Sequence, residues 1–525
     1  MKIVLIIILG LVVYLNALKG DFIWDDECVI KNNISIRSWS NVSKVFATDM
    51  GMGGRDRFIF YRPLQLFSYF IDYSIWKLNP IGYHLTNILL HILVALTLCW
   101  LVNIIYSDAA LSLLAAALFV VHPIHTEAVA YISGRGDALA VLFMLLCFIF
   151  YIKGKKLYIL MLLSYALSLL SKENALILPV LLLVYHYAFK KNFKREFLSI
   201  IGLAFIYVLL RMTLLKAALP HALYFTTSFR RIPAFFAAIT NYTRLILLPF
   251  GLHMEYGDKL FKLVHPRAII GIALLVSFLI YAFKMRDRSN VTFFSITWFF
   301  TSLLPFSNIY PLPFYMAEHY LYLSSMGFFL ILAKGLRSIY NDKNVRGFAA
   351  VLTTVLLVFY SLLTIRQNEY WKDPVTLYNR ILRYEPDSSR VHYNLGITYY
   401  NLDKKAAAMN SFKKAIEIDP NFAYAYNNLG VIYKEMDNKE EAIALFKRII
   451  EIDPSYMQAY ANLCSVYVIM GRIDKAIDLY KNAGVASSDA EIYNKIGLIC
   501  RANSRNEEAV KLFKKAREID LLSNN

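Results

Sequence analysis

Two carboxylates stand side by side at Asp25 and Asp26, just past the first apolar run and framed by Phe22, Ile23, Trp24, Val29 and Ile30. In a water-poor crevice, one of two adjacent acids keeps a raised pKa and serves as a base while its neighbour binds or orients, because mutual repulsion splits their pKa values. The plainer alternative is a solvated doublet, or one paired with Arg62 or Lys31. Further polar groups recur in short stretches between apolar runs: Arg62-Pro63; His84, Asn87 and His91, spaced three and four apart on one helix face; "VHPIHTEAVAYISGRGDALA" (121–140); "SKENALILP" (171–179); "LPFGLHMEYGD" (248–258); and "PFYMAEHYLYLSSMGF" (313–328). His122, His125 and Glu127 have loose spacing for a metal, with Pro123 interrupting the helix, and no metal is assigned to them; helix capping and the polar wall of a site are the alternatives. Lys172-Glu173 and Glu318-His319 read either as site groups or as buried pairs that fix helix ends.

These groups need a scaffold, and the composition says which kind. The chain is 58% hydrophobic and only 18% charged, below the roughly 25% charge of a soluble domain. Apolar runs lie near 3–18, 85–105, 109–121, 137–153, 156–171, 174–189, 198–215, 233–250, 268–284, 291–304, 319–335 and 347–365. The fold class expected is therefore all-α, a polytopic membrane domain. The first run follows Met1-Lys2 and lacks a clean cleavage site, so it reads as an uncleaved span. The loops "KGKK" (153–156), "KKNFKRE" (190–196), "KMRDR" (284–288) and "KGLRSIYNDKNVR" (334–346) are basic and expected on the cytoplasmic side. Consistent alternation then requires that 233–250, bounded by Pro233 and Pro249 and interrupted by Thr240, Asn241, Thr243 and Arg244, is re-entrant or interfacial. About eleven spans remain. They put the amino terminus inside, and the first loop (19–84) outside together with everything after residue 366.

The net charge is +18, yet the part from Asp387 onward carries 19 basic and 18 acidic residues, so the basic excess belongs to the membrane part. That suits topology and anionic lipid, and no nucleic-acid motif accompanies it. The five cysteines show neither metal spacing nor a disulfide framework. The last third repeats. Pro386, Pro420 and Pro454 recur at 34-residue intervals, as do "VHYNLGITYY", "AYNNLGVIYK" and "AYANLCSVYV", and Ala408, Ala442, Ala476 and Ala509 are each followed four residues on by Phe412, Phe446, Tyr480 and Phe513. This is the tetratricopeptide period, four repeats over 389–525 that build an α-solenoid and a protein-binding surface. Asn394, Asn428 and Asn462 form a ladder that either grips an acceptor peptide backbone or packs within the repeats. The stretch 367–388, with "DPVTLYNRILRYEP", reads as a linker with a leading half repeat after a first domain of 1–366.

Taken together, "WDD" after the first span, "YRPLQLFSYFIDYSIWKLNPIGYHLTNILLH", "HPIHTEAVAYISGRGDALA", "SKEN", "AEHYLYLSSMGF" and "NEYWKDPVTLYNRIL" resemble the transmembrane O-mannosyltransferases that carry tetratricopeptide repeats, within the GT-C glycosyltransferase superfamily. The resemblance covers nearly the whole chain, which has only four recognisable repeats. It implies a polytopic, inverting enzyme that takes a sugar from a polyprenyl-phosphate carrier on the outer or luminal face. Asp25 or Asp26 would be the catalytic acid. Relatives carry a W/F-D-E stretch there, so Asp25 aligns with the base, but Asp26 replaces the glutamate and the division of labour stays open. The expected reaction moves a hexose such as mannose to Ser/Thr of a polypeptide held by the repeats. In it, Arg62, Arg135, Lys172 and His319 meet the leaving lipid phosphate, Asp137 orients Arg135, and His84, His122, His125, Glu127, Glu173 and Glu318 wall the site. No cofactor beyond the lipid-linked donor is expected, and no divalent metal. The location implied is a prokaryotic inner membrane with extracytoplasmic repeats, or the endoplasmic reticulum with luminal repeats in a eukaryote. Transfer to a cell-surface glycan, and a non-catalytic envelope scaffold, are the alternatives.

Overall fold

The computed structural model describes residues 2–46, 50, 60–214, 223–257, 259–309, 314–479, 490–502 and 504–523; these are all helix, turn and loop, without strands. They form two compact units, Met1–Glu385 and Pro386–Asn525.

The first unit contains α1 (Lys2–Tyr14), α2 (Pro63–Trp76), α3 (Pro80–Tyr106), α4 (Ala109–Val121), α5 (Thr126–Ala130), α6 (Arg135–Lys153), α7 (Tyr158–Ser171), α8 (Leu178–Ala188), α9 (Glu196–Leu214), α10 (Leu223–Leu247), α11 (Pro266–Met285), α12 (Asn290–Ser302), α13 (Leu321–Asn341), α14 (Arg346–Asn368) and α15 (Pro374–Leu382). Each apolar run read from the sequence overlaps one of these helices. Their starts are chemically marked. Asn79 accepts from the Ile81 amide with Pro80 in the first turn, Asp108 accepts from Ala110 and Leu111, and Ser289 accepts from Thr292. The core is apolar and aromatic, with Phe119, Phe148, Tyr165 and Tyr322 fully buried.

Eleven spans are not what the helix lengths give. Among the described residues five helices are long and apolar enough to cross a membrane: Pro80–Tyr106, Ile132–Lys153, Glu196–Thr213, Pro266–Met285 and Arg346–Trp371. A sixth results if Ala109–Val121 and Pro123–Ala130, bent by 57° at their junction, count as one; Ile3–Lys19, Glu173–Ala188 and Asn290–Phe306 are shorter apolar helices. The reason is local. Tight turns at Pro123–His125, Ile132–Gly134, Glu173–Ile177 and Glu318–Tyr320 interrupt the apolar stretches, so several helices fall short of the roughly 20 residues a simple span needs. Helix α10 is 25 residues long with Pro233 inside it and is not among the candidate spans.

The bundle has two distinct ends. At one, Asn16 donates to the Ile365 carbonyl (2.7 Å) and Asn368 to the Val13 carbonyl (3.0 Å), so α1 and α14 finish together. At the other, the basic loops meet: Lys190 pairs with Asp287 at 2.8 Å, and Lys194 donates to the carbonyls of Tyr151 and Ile152. Helix α6 runs from the first end to the second, about 28 Å by its rise per residue.

The second unit contains α16 (Ser389–Asn401), α17 (Lys405–Ile418), α18 (Ala423–Glu435), α19 (Lys439–Ile452), α20 (Met457–Ile469), α21 (Ala490–Ala502) and α22 (Asn506–Ser523). The recurrent aromatics pack within their own helix pair. A Cβ on Gly396 would lie 2.6 Å from the Phe412 ring, and one on Gly430 2.7 Å from Phe446, so glycine is what admits the ring. Tyr480 lies outside the described residues. The leading half repeat expected at 367–388 sits largely with the first unit, which extends to Glu385.

Candidate functional site

The first loop folds back on the bundle end. The Asp21 amide donates to the Lys372 carbonyl at 2.9 Å, tying the loop to the segment that follows α14. Trp24 then adopts φ +52°, the left-handed region, which costs a bulky side chain on the order of 1–3 kcal/mol and persists only where surroundings impose it. This turn sends the two acids into different environments. Asp26 is wholly buried; one oxygen accepts from the Ile23 amide (3.1 Å) and the other from the Ser133 amide (2.8 Å) and hydroxyl. Burial pushes its carboxyl up to about 7, against the pull of those hydrogen bonds, with the neighbouring Asp25 charge adding to the rise. Asp25 is half-exposed, and its amide donates to the Tyr131 hydroxyl at 3.2 Å. Asp26 is thus the enclosed member of the doublet and Asp25 the partly exposed one. Of the cations the plainer reading named, Lys31 bonds Glu27 (3.2 Å) and Arg62 bonds Glu173.

Around this loop the adjacent charged residues of the motifs part company. Arg62 grips Glu173 through two nitrogens at 3.0 and 3.3 Å, and Arg211 approaches the same carboxylate at 4.0 Å. Lys172 turns the other way, to Asp137 at 2.7 Å. His319 meets Glu127 through its ring (2.7 Å) and its amide (2.9 Å). Glu318 is buried and accepts from the His253 amide and the Tyr256 hydroxyl (2.7 Å); burial, with the Glu127 charge nearby, raises it well above the usual carboxylate range. The sequence neighbours Lys172-Glu173 and Glu318-His319 are therefore not pairs with each other. The charges of Asp25 and Asp137 both bear on Arg62, which places these groups in one field. Arg62, Glu173 and His319 keep part of their side chains accessible, at 14%, 30% and 24%.

Arg135 is corrected. It is completely buried, paired with Asp72 at 2.6 Å, and donates to Asn87, Ser68 and the Tyr83 carbonyl. A guanidinium so committed fixes α2, α3 and α6 together and presents no open face to a phosphate. Asp137 holds Lys172 rather than Arg135. His84, His122 and His125 are all buried: His84 lies beside Gly20, His122 accepts from the Ile124 amide, and His125 bonds the Phe119 carbonyl and Ser325. Among the described residues no three His, Cys, Asp or Glu side chains are grouped to hold a metal ion. In the repeats, Asn462 is largely buried and donates to Asn427 (2.8 Å), and Asn428 donates to Tyr393 (3.3 Å), so these two amides are occupied within the solenoid; Asn394 is half-exposed. Sequence reasoning missed Tyr131 and Ser133, although they lie within a quoted stretch, and Asp72, Trp371 and Tyr378, whose partners are distant in the chain.

The arrangement offers an accessible carboxylate held by a rigid turn, with partly accessible cations in the same field. That is what base-assisted attack on a centre with an anionic leaving group requires.

Comparison with known proteins agrees with the resemblance read from the motifs. The Tetratricopeptide repeat family matches residues 389–422 and 423–456, and a second model of the same description matches 490–521. Similar curated proteins include Protein O-mannosyl-transferase F38B6.6 of Caenorhabditis elegans, 28% identical over 75% of this chain and 59% of that protein. Protein O-mannosyl-transferase TMTC3 of Mus musculus is 24% identical over 77% and 50%, and Protein O-mannosyl-transferase tmtc2 of Xenopus laevis is 26% identical over 78% and 61%. The chain thus spans half to three fifths of the length of these relatives, all animal proteins, and they lend no support to a prokaryotic origin. Among solved structures, the crystal structure of MamA is 32% identical, covering 29% of this chain and 88% of that one, with a TM-score of 0.26.

Proposed function

We propose that the chain is an inverting glycosyltransferase that moves a hexose such as mannose from a polyprenyl-phosphate carrier to a Ser/Thr hydroxyl of a protein, at the non-cytoplasmic face of its membrane. The carrying observation is the split acid pair, with Asp25 accessible and Asp26 enclosed and bonded to Ser133 and Ile23. Asp25 takes the acceptor proton as the hydroxyl oxygen bonds to the anomeric carbon. The bond from that carbon to the carrier phosphate breaks from the opposite side, and configuration inverts. Asp26 positions the turn. Arg62 and His319, whose side chains stay partly accessible, stabilise the departing lipid phosphate; Lys172 is buried and held by Asp137, which withdraws it from that role as burial does Arg135. The names of the relatives support a sugar transferred to protein, and the repeats supply the means to hold a polypeptide acceptor.

Charge supports the sidedness. Basic loops gather at the end opposite the acid pair, and the positive-inside rule favours an orientation with Asp25 and the segment after α14 on the other side. That side is the lumen of the endoplasmic reticulum in a eukaryote and the extracytoplasmic face of an inner membrane in a prokaryote.

Asp25→Asn in purified, correctly folded protein should lower transfer from a polyprenyl-phosphate mannose donor to acceptor protein by about 10²–10⁴-fold, the usual worth of a general base. Transfer at the parental rate would reject the assignment.

A further inference from the structure

Two tyrosines meet the strained turn that carries Asp25. The Asp25 amide donates to the Tyr131 hydroxyl at 3.2 Å, and at the preceding residue the Trp24 ring packs against that of Tyr378. Both rings are themselves fixed. Tyr131 stacks on Trp371 with centroids 5.8 Å apart and planes 26° from parallel, and the Tyr378 ring lies 5.6 Å from that of Trp24. Trp371 is 2% exposed and Tyr378 5%, so neither has room to swing. The helix that bears Tyr378 is locked at its start, where Asp373 accepts from the Thr376 amide and hydroxyl at 2.9 and 2.7 Å. The left-handed conformation of Trp24 needs such a clamp, because nothing in a tryptophan side chain favours it.

We propose that Tyr131 and Tyr378 are positioning residues for Asp25, and that the segment from Trp371 to Leu382 is thereby part of the reaction centre and not only a spacer before the repeats. This rests on Asp25 being the base. It adds that the carboxylate is aimed by two consecutive residues, the Asp25 amide held from the α5–α6 turn and the Trp24 ring held from beyond the last long apolar helix. A proton acceptor displaced by about 1 Å loses up to about 10²-fold in rate with little change in substrate binding.

Y131F keeps the ring and removes only the hydroxyl that the Asp25 amide meets, and Y378L removes the ring that packs on Trp24 while leaving an apolar side chain, so the two variants test the two contacts without emptying the core. Two readouts are needed: steady-state transfer from polyprenyl-phosphate mannose, and alkylation of Cys28 by N-ethylmaleimide in a Cys99→Ala background. Cys28 is half-buried, three residues past Asp25, and reports loop opening whether or not the enzyme turns over. Each variant should lower kcat 10- to 100-fold with KM for the donor within about twofold, and speed Cys28 alkylation several-fold. Unchanged alkylation overturns the proposal whatever the activity, and so does faster alkylation with parental kcat. Asp25→Asn run alongside separates the two ideas: retained transfer there rejects the base itself, while Cys28 reactivity still reads the clamp on its own. Trp371→Phe, which preserves an aromatic platform for Tyr131, should stay close to parental in both readouts; a loss as large as that of Y131F would count against hydroxyl positioning.

Discussion

The two adjacent aspartates differ because a single backbone turn buries one and exposes the other, and this has a measurable consequence at the residue scale. Asp26 has its carboxyl raised from an ordinary 3.8 to about 7 by burial. A folded state that holds the proton more tightly than the unfolded chain is stabilised by it. The contribution is complete below about pH 4 and is lost as pH rises through about 7, at a slope approaching 1.4 kcal/mol per pH unit between those limits. Thermal unfolding of the detergent-solubilised chain should therefore show a falling midpoint from pH 4.5 to 7.5 that flattens in Asp26→Asn. An undiminished slope in that variant would assign the pH dependence elsewhere. The same substitution should spare more transfer activity than Asp25→Asn, since the neutral amide can still accept from the Ser133 amide and hold the turn.

At the scale of elements, the buried Arg135–Asp72 pair ties α6 to α2, and its loss acts on the fold before it acts on any substrate. Arg135→Ala leaves Asp72 as an uncompensated buried carboxylate, at a cost of about 3–5 kcal/mol. The expected result is a large drop in folded, monodisperse protein on size exclusion; a well-folded variant with only a raised KM for the lipid donor would restore Arg135 to the phosphate site. This pairing also marks where sequence reading stops. Helices were legible because apolar runs and caps such as Asn79 and Asp108 are local signals, and the repeats because a 34-residue period brings Phe412 to Gly396 within one helix pair. The partners of charged groups were not, since adjacency in sequence gives no direction. A tight turn at Glu173–Ile177 sends Lys172 to Asp137 and Glu173 to Arg62, 35 and 111 residues away. Helix length does not settle the span number, because polar turns leave several apolar helices shorter than a simple span, and only five of those described pass by length and composition. The acid pair was legible as a doublet, but which member is accessible depended on Ser133, more than 100 residues further on.

For the whole molecule, the decisive feature is that the acid pair and the basic loops occupy opposite ends of one bundle. Asp21 bonds Lys372 at the end where α14 finishes, and Lys190 bonds Asp287 where the basic loops meet. In a membrane with the basic end in the cytoplasm, the segment after α14 leaves on the side of the acid pair, and among the described residues no further candidate span lies between it and the first repeat. The proposed function requires that an acceptor held by the repeats share a compartment with Asp25. Single cysteines in a background with Cys28 and Cys99 replaced by alanine read this directly. Lys372, Lys414 and Lys190 are suited to it, with side chains 55%, 59% and 67% exposed, and the surface ion pairs lost with them are worth at most about 1 kcal/mol. In sealed vesicles of known orientation, a membrane-impermeant maleimide on the non-cytoplasmic side should label Lys372→Cys and Lys414→Cys, and should reach Lys190→Cys only after permeabilisation. If Lys414→Cys and Lys190→Cys are labelled from the same side, acceptor capture and sugar transfer are separated by the bilayer, and the repeats serve some purpose other than delivering substrate to Asp25.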